Sequence, residues 1–253
     1  MMQQNSLQPK KTLGVYLGSC LFFLYILISV PIAGLLILFS LIFPFSFRYK
    51  LSVLWSSSIL WVAKIFCGLS YQVDGLENLP KDKAYIVLAK HQSAWETLAL
   101  RSFIPMQTNV LKESLNWIPI GGWAMATLKP VSINRESQRS ALLSLIKQGT
   151  ERLKEGLVVV IFPEGTRAAP GENTKFKGGG AMLAHKSGYP VIPLAHNAGE
   201  FWPRYSFLKY PGTIQVKIGP IIESTGKKSN EINSEAETWI AQAMEEISNT
   251  YLQ

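Results

Sequence analysis

The chain has 253 residues, of which 47% are hydrophobic and 17% charged, and its formal net charge is +8. Because soluble globular proteins carry about 25% charged residues, this composition argues against an ordinary water-soluble protein, and it excludes disorder over most of the chain. Residues 1–73 contain no acid and five bases, which are Lys10, Lys11, Arg48, Lys50 and Lys64. Positive charge beside an apolar segment predicts an anionic membrane surface as the partner. Nucleic acid is not expected, because no aromatic RNA platform or recognition-helix pattern is present.

The cysteine and histidine positions do not form a metal-binding pattern. Cys20 and Cys67 lie in apolar stretches without a second cysteine or histidine at zinc spacing. His91, His185 and His196 show no i, i+4 relation. We therefore expect reduced cysteines, no metal site and no bound cofactor, and we interpret His185 and His196 as structural.

The N-terminal region contains an uncharged segment from Thr12 to Phe47, which is 36 residues long. This length exceeds the core of a signal peptide and the roughly 20 residues that one spanning helix needs. Pro31 divides the segment, and basic residues flank both outer ends. Because cationic flanks favour the cytosolic side, we predict a re-entrant helical hairpin that bends near Pro31. A single tilted spanning helix is the alternative.

Residues 51–69 have apolar side chains at intervals of three and four, which predicts an amphipathic helix. Its apolar face fits either the membrane interface or the domain that follows, because periodicity does not identify what the face contacts. We accordingly predict a membrane-anchoring unit over residues 1–73, made of the hairpin and this helix. Residues 74–253 are predicted to form a separate folded domain.

Beyond residue 73, short β-branched runs alternate with segments of helical spacing. The predicted strands are 85–90, 108–112, 130–134, 157–162, 189–197 and 212–219, and the predicted helices are 94–102, 137–154, 178–187 and 232–252. This alternation indicates an α/β domain with a mixed, mostly parallel sheet covered by helices on both faces. Ligands bind such sheets where strands end, so the residues after 85–90 and 157–162 are the candidate site.

After the first of these strands, the sequence reads KHQSAWET from Lys90. His91 can act as a general base near neutral pH, and the carboxylate of Glu96 can fix its tautomer and balance its charge. The same stretch also fits a capping box of Ser93 and Glu96 at the start of a helix. Both interpretations remain open from the residues alone. Ser93 is not expected to be a nucleophile, because the chain contains no G-x-S-x-G elbow.

After the second strand, the sequence reads FPEGTR over residues 162–167. Gly165 permits a tight turn, Arg167 can bind a phosphate with two parallel hydrogen bonds, and Glu164 can orient a hydroxyl. An exposed salt bridge in the turn is the alternative. Residues 175–180, KFKGGG, fit either a phosphate site at the start of a helix or a flexible turn.

These residues resemble the motifs of the glycerolipid acyltransferase family. Residues 91–96 are similar to the family's His-x4-Asp motif, with Glu in place of the usual Asp, and residues 162–167 match its Glu-Gly-Thr-Arg motif. Two weaker blocks, 131–135 and 189–195, occur in the expected order. The resemblance covers roughly residues 75–220, and the N-terminal region also looks like the membrane anchor of that family.

The resemblance implies an enzyme that transfers an acyl group directly, without an acyl-enzyme intermediate. His91 is expected to deprotonate the 2-hydroxyl of 1-acyl-sn-glycerol-3-phosphate while Glu96 holds the imidazole, and the product would be phosphatidic acid of phospholipid biosynthesis. The donor would be an acyl-CoA or acyl carrier protein thioester. Arg167 and Arg135 are expected on the phosphate and Glu164 on the glycerol backbone. The implied substrate-binding residues are Arg135, Glu164, Gly165, Thr166 and Arg167.

The expected partners are therefore a lysophospholipid, an acyl thioester and the bilayer, with the active site on the cytosolic face of the membrane. Three other functions remain open at this stage. They are acyl transfer or transacylation on another lysophospholipid or aminolipid, lipid hydrolysis, and membrane binding without catalysis.

Overall fold

A computed structural model of the chain describes residues 10–134, 137–172 and 174–248. Its strands are β1 (Leu69–Asp74), β2 (Ile86–Ala89), β3 (Gln107–Lys112), β4 (Val131–Ile133), β5 (Val158–Ile161), β6 (Val191–His196) and β7 (Gly212–Ile218). Its α-helices are α1 (Leu13–Phe39), α2 (Phe45–Cys67), α3 (Trp95–Phe103), α4 (Gly121–Ala126), α5 (Gln138–Lys154), α6 (Gly179–Ser187), α7 (Ala198–Phe201) and α8 (Ser229–Ile247).

All seven strands form one sheet in the order β1-β7-β6-β2-β5-β3-β4. Every neighbouring pair is parallel except β6 and β7, which are antiparallel. The mixed, mostly parallel sheet predicted from the sequence is therefore confirmed. The central strands β2 and β5 are buried along their whole length, which explains their continuous apolar sequences.

Helices cover both faces of the sheet, as predicted, because successive residues of a strand point to opposite faces. Val87 and Ala89 of β2 pack in a core with residues of α2 and α3. Ile86 and Leu88 of the same strand pack in a second core with residues of α5, α6 and α8. The carboxyl end of β2 is thus held in a rigid three-layer scaffold.

The six predicted strands and four predicted helices beyond residue 73 are present, although residues 249–252 of the last predicted helix lie outside the described residues. The strand that the sequence analysis missed is β1. The left-handed Gly68, with φ of 63°, ends α2, and β1 then pairs with β7 from Leu69 to Asp74. The sheet therefore begins inside the segment that was assigned to the membrane anchor. The short apolar run of β1 follows the helix without a loop, so its pattern merged with that of the helix.

The predicted bend near Pro31 is wrong, because α1 continues through this proline. On its N-terminal side, the Tyr25 hydroxyl donates a hydrogen bond to Ser58 Oγ in α2 at 2.6 Å. On its C-terminal side, Gly34 packs closely against Ile120. Pro31 has no backbone N–H to donate within α1. Neighbouring elements thus support the helix on both sides of this proline, which is how proline is tolerated in apolar helices. The hairpin turn lies instead at residues 40–44, between α1 and α2.

Helix α2 packs on the folded domain through one face and leaves an apolar face exposed. Ile59 and Ala63 are buried in the core beside α3, whereas the side chains of Leu54, Trp61 and Ile65 are more than half exposed. Two segments, Leu13–Ile42 and Phe45–Cys67, are long and apolar enough to cross a membrane. The buried face of α2 therefore packs against the folded α/β domain, and its exposed apolar face remains available to lipid.

Candidate active site

The two sequence motifs meet at the carboxyl edge of the sheet. Strands β2 and β5 are parallel neighbours, so the residues that follow them emerge side by side. The His91 backbone N–H donates to Glu164 Oε1 at 3.0 Å, and the Ala168 N–H donates to the His91 carbonyl at 2.8 Å. The residues that follow the two strands are thus brought together, and their role in the chemistry stays a prediction.

His91 and Glu96 form a close pair. The Nδ1–H of His91 donates to Glu96 Oε1 at 2.7 Å, and the imidazole stacks on Phe162 with ring centroids 4.2 Å apart. With Nδ1 occupied by the carboxylate, Nε2 carries the lone pair. The His91 side chain is 15% exposed and that of Glu96 is fully buried, so the site can present a base to a substrate and shield the acid behind it.

The capping-box interpretation holds in part: Glu96 satisfies backbone donors at the start of α3, but the N-cap residue is Ala94, which has no side-chain cap. The same Oε1 atom accepts hydrogen bonds from the backbone N–H groups of Ser93 at 2.8 Å and Gln92 at 3.0 Å. Ser93 Oγ in turn accepts from the Trp95 N–H at 3.1 Å. The extra methylene of Glu does not lengthen the contact with the histidine, because the backbone donors draw the carboxylate into the first turn of α3.

Glu96 is held as a carboxylate despite its burial. Burial disfavours the charge, but His196, the hydrogen bond from His91 and the Ser93 N–H outweigh it and lower the pKa of Glu96. An ionised Glu96 can stabilise an imidazolium at His91 as the proton arrives there. The electrostatics thus suit general-base chemistry.

Glu164 is buried and forms a second tie between the motifs. Its Oε1 lies 3.2 Å from the ammonium of Lys90 and accepts the His91 backbone N–H. Burial raises the pKa of Glu164, although Lys90 and the His91 N–H act in the opposite direction. This geometry favours a role in positioning the His91 backbone, and its predicted contact with a glycerol backbone stays a prediction.

The rest of the FPEGTR turn presents cationic groups at the surface. Gly165 has a φ of 74°, and a Cβ there would lie 2.6 Å from Lys177 Nζ, so glycine permits both the turn and the approach of this lysine. Thr166 is exposed and Arg167 half-buried. The predicted phosphate-binding Arg135 lies outside the described residues.

Residues 70–197 match the model of the Acyltransferase family. The chain belongs to the acyltransferase family. Over 190 residues, which are 74% of each chain, it is 47% identical to the 1-acyl-sn-glycerol-3-phosphate acyltransferase of Pseudomonas aeruginosa. It is 37% identical over 137 residues to the enzyme of that name from Saccharomyces cerevisiae.

The solved structures contain a similar fold. The 1-acyl-sn-glycerophosphate acyltransferase of Thermotoga maritima superimposes with a TM-score of 0.75 at 26% identity, covering 90% of this chain and 94% of that one. Some relatives are matched over only about half of their length. The matched segment covers 45% of the yeast enzyme and 53% of the chloroplastic enzyme of Arabidopsis thaliana, LPAT1. The predicted α/β fold and acyltransferase family are therefore confirmed.

The acyltransferase site also contains a histidine whose position the sequence analysis did not foresee. His196 is fully buried, and its Nε2–H donates to the Lys90 carbonyl at 2.8 Å. Its Nε2 lies 3.9 Å from Glu96 Oε2. Burial is the main cause of a lowered pKa at His196, and the charge of Glu96 acts in the opposite direction. No local sequence pattern indicates this position, because it depends on the parallel pairing of β6 with β2.

Arg204 is a second residue beyond the predicted set. Its guanidinium donates to the Arg167 carbonyl and lies 3.1 Å from a carboxylate oxygen of Glu172. The aromatic loop after β6 therefore helps to fix the backbone of the FPEGTR turn. Within the described ranges, no three His, Cys, Asp or Glu side chains are grouped as metal ligands would be.

Proposed function

We propose that this acyltransferase moves a fatty acyl group from a thioester to the 2-hydroxyl of 1-acyl-sn-glycerol-3-phosphate, giving phosphatidic acid for phospholipid biosynthesis. The contact of 2.7 Å between His91 Nδ1 and Glu96 Oε1 is the observation that carries the proposal. The named activity of the relative that is 47% identical supports the choice of acceptor. The absence of a Ser-centred elbow favours direct transfer over an acyl-enzyme.

In the proposed reaction, His91 Nε2 takes the proton of the lysolipid 2-hydroxyl while the hydroxyl oxygen attacks the thioester carbonyl. A new C–O bond forms and the C–S bond breaks. The departing thiolate then receives the proton back from His91. Glu96 keeps Nδ1 protonated and balances the transient imidazolium. Such general-base assistance contributes about 10²- to 10⁴-fold, and the positioning of two substrates at one edge adds to it.

The phosphate of the acceptor is proposed to bind at the FPEGTR turn. Arg167 offers a planar guanidinium for bidentate contact, and Lys177 lies against Gly165 of the same turn. Arg135, Glu164, Gly165 and Thr166 complete the proposed set, with Glu164 acting from its buried position. Phosphate bound by these cationic side chains would place the glycerol 2-hydroxyl within reach of His91.

The acyl donor is proposed to be a thioester of the cytosol, and the enzyme is proposed to lie at the membrane. Acyl-CoA and acyl carrier protein are both anionic thioesters and suit the same basic surface. The apolar helices α1 and α2 are proposed to anchor the enzyme, with its site at the cytosolic face where both donors occur. No bound cofactor is required, because the thioester supplies the activated acyl group.

The test is acyl transfer by the purified full-length protein in detergent, from a labelled acyl thioester to lysophosphatidic acid. Lysophosphatidylcholine is the competing acceptor, His91→Ala the inactive variant, and His185→Ala the matched control, because His185 is exposed and contacts a carbonyl of residue 227. We expect phosphatidic acid from the wild type and the control only. Product from the choline lipid alone, or transfer without a thioester, would overturn the assignment of acceptor or reaction.

A further inference from the structure

A segment of the catalytic domain exposes an unusual amount of apolar surface. Residues 114–128 carry no charge; Glu113 and Lys129 flank them directly, and Lys112 lies one residue farther out. The exposed side chains are Leu115 (38%), Trp117 (77%), Ile118 (49%), Trp123 (49%) and Met125 (38%). Single exposed apolar residues are common on soluble proteins, but a cluster that contains two tryptophans marks a surface that contacts something apolar.

This surface, which we call the 115–125 patch, is held rigidly. Asn116 Nδ2 donates to Ser132 Oγ in β4 at 2.9 Å. A Cβ at Gly122 would lie 2.2 Å from the Leu115 carbonyl oxygen, so the two limbs of the segment are in direct contact. The exposure of the tryptophans is therefore a property of the fold and does not arise from a loose loop.

The patch is continuous with the exposed apolar side of α1. Ile120, which has a φ of 60°, packs against Gly34, and Gly121 faces Val30. On α1, Ile32 and neighbouring apolar residues are about half exposed. An apolar surface on a helix long enough to span a membrane thus extends onto the folded domain.

The position of the patch relates it to the active site. Residue 113 directly follows β3, and β3 is parallel to both β5 and β4. The segment therefore leaves the sheet at the carboxyl edge that also bears His91 and Glu164. A partner that covers the patch would lie beside the site.

We propose that the 115–125 patch inserts into the membrane interface as a contact separate from α1 and α2, and that its occupant is the lipid bilayer. Tryptophans beside apolar residues favour the interface, where their rings lie at headgroup depth. Lys112 and Lys129 lie near the two ends of the patch, with the acid Glu113 between Lys112 and the uncharged segment. Continuity with α1 favours lipid over a second copy of the chain. The contact would turn the carboxyl edge of the sheet toward the bilayer, whichever lipid reaction takes place there.

The test uses tryptophan fluorescence of the full-length protein in vesicles of phosphatidylethanolamine and phosphatidylglycerol with brominated acyl chains. The chain contains seven tryptophans, so the measured quantity is the fraction of emission that bromine quenches. If Trp117 and Trp123 contact lipid, the variant Trp117→Phe/Trp123→Phe removes quenched emission and the fraction falls. If they face water, the variant removes unquenched emission and the fraction rises, which overturns the proposal.

The matched control is Trp239→Phe, because Trp239 packs with the α8 core away from the patch. We expect the quenched fraction to rise in this variant. Sedimentation of the detergent-solubilised protein completes the test. A patch variant that converts a dimer to a monomer while its quenched fraction rises would identify an interface between copies and overturn the lipid assignment.

Discussion

The ammonium of Lys90 lies 3.2 Å from Oε1 of Glu164, and these side chains are 5% and 0% exposed. This buried ion pair joins the residue before His91 to the FPEGTR turn. A buried pair does not by itself stabilise a fold, because both charges lose their hydration. Its consequence here is geometric, since Glu164 also accepts the His91 backbone N–H and so fixes the start of the loop that carries His91.

Replacing Lys90 with methionine should reduce stability in a pH-dependent way. Burial already raises the pKa of Glu164, and loss of the ammonium raises it further. An acid with a raised folded pKa binds more protons in the folded than in the unfolded state, so stability falls as pH rises from the ordinary glutamate pKa through the folded value. We therefore expect the unfolding free energy of Lys90→Met to be close to that of the wild type near pH 4. As the pH rises, it should fall below the wild-type value by about 1–3 kcal/mol, which thermal unfolding at a series of pH values would measure.

The control for this prediction is the double variant Lys90→Met/Glu164→Gln, which cannot ionise at either position. Measured against the single variant Glu164→Gln, its deficit should not change with pH across the same range, because position 164 ionises in neither protein. A pH-independent deficit in Lys90→Met would show that Glu164 is not the titrating group.

Replacing Glu96 with glutamine separates its two roles. The amide oxygen can still accept the Ser93 and Gln92 N–H groups, so the start of α3 should stay folded, but it cannot balance an imidazolium at His91. We expect kcat to fall by about 10²-fold or more with a nearly unchanged unfolding midpoint. Glu96→Asp keeps the charge on a shorter side chain and should retain more activity. Near-normal turnover by Glu96→Gln would leave helix capping as its only role.

Replacing Gly165 with alanine should impair acyl transfer more than folding. Its φ of 74° strains any other residue, and the new Cβ would lie 2.6 Å from Lys177 Nζ. Gly188→Ala is the matched control, because its φ is 75° with no atom within 4 Å of the added Cβ. Both variants should lose about 1 kcal/mol of stability, but only Gly165→Ala should show a raised KM for the phosphate-bearing acceptor. Equal kinetics in the two variants would refute a role for this turn in binding.

The sequence predicted the positions of the central strands because their apolar runs are short, β-branched and bounded by turns. It also named the residues after β2 and β5 as the candidate site, since ligands bind such sheets where strands end. It did not predict that His91 and Glu164 are in contact. It did not predict the turn of the helical hairpin. A proline in an apolar helix is compatible with both a bend and a continuous helix, and the packing of Gly34 against Ile120 decides between them.

Two features of the site depend on packing between distant segments, which local patterns do not encode. Arg204 reaches the Arg167 carbonyl from a loop 37 residues away. His196 reaches the Lys90 carbonyl across 106 residues. Periodicity indicates which face of a strand is buried, but it does not identify a polar partner on another strand.

His196 provides the last prediction. Its Nε2–H donates to the carbonyl of Lys90, the residue before His91, and its ring lies beside the Glu96 carboxylate. His196→Ala leaves that buried carbonyl without its donor, which should cost about 1–3 kcal/mol and lower kcat about tenfold by displacing His91. KM for both substrates should change little, because His196 is buried and contacts neither. His196→Gln can restore a donor to the Lys90 carbonyl and should recover most of kcat, whereas a loss confined to stability, with normal kcat in both variants, would limit His196 to the fold.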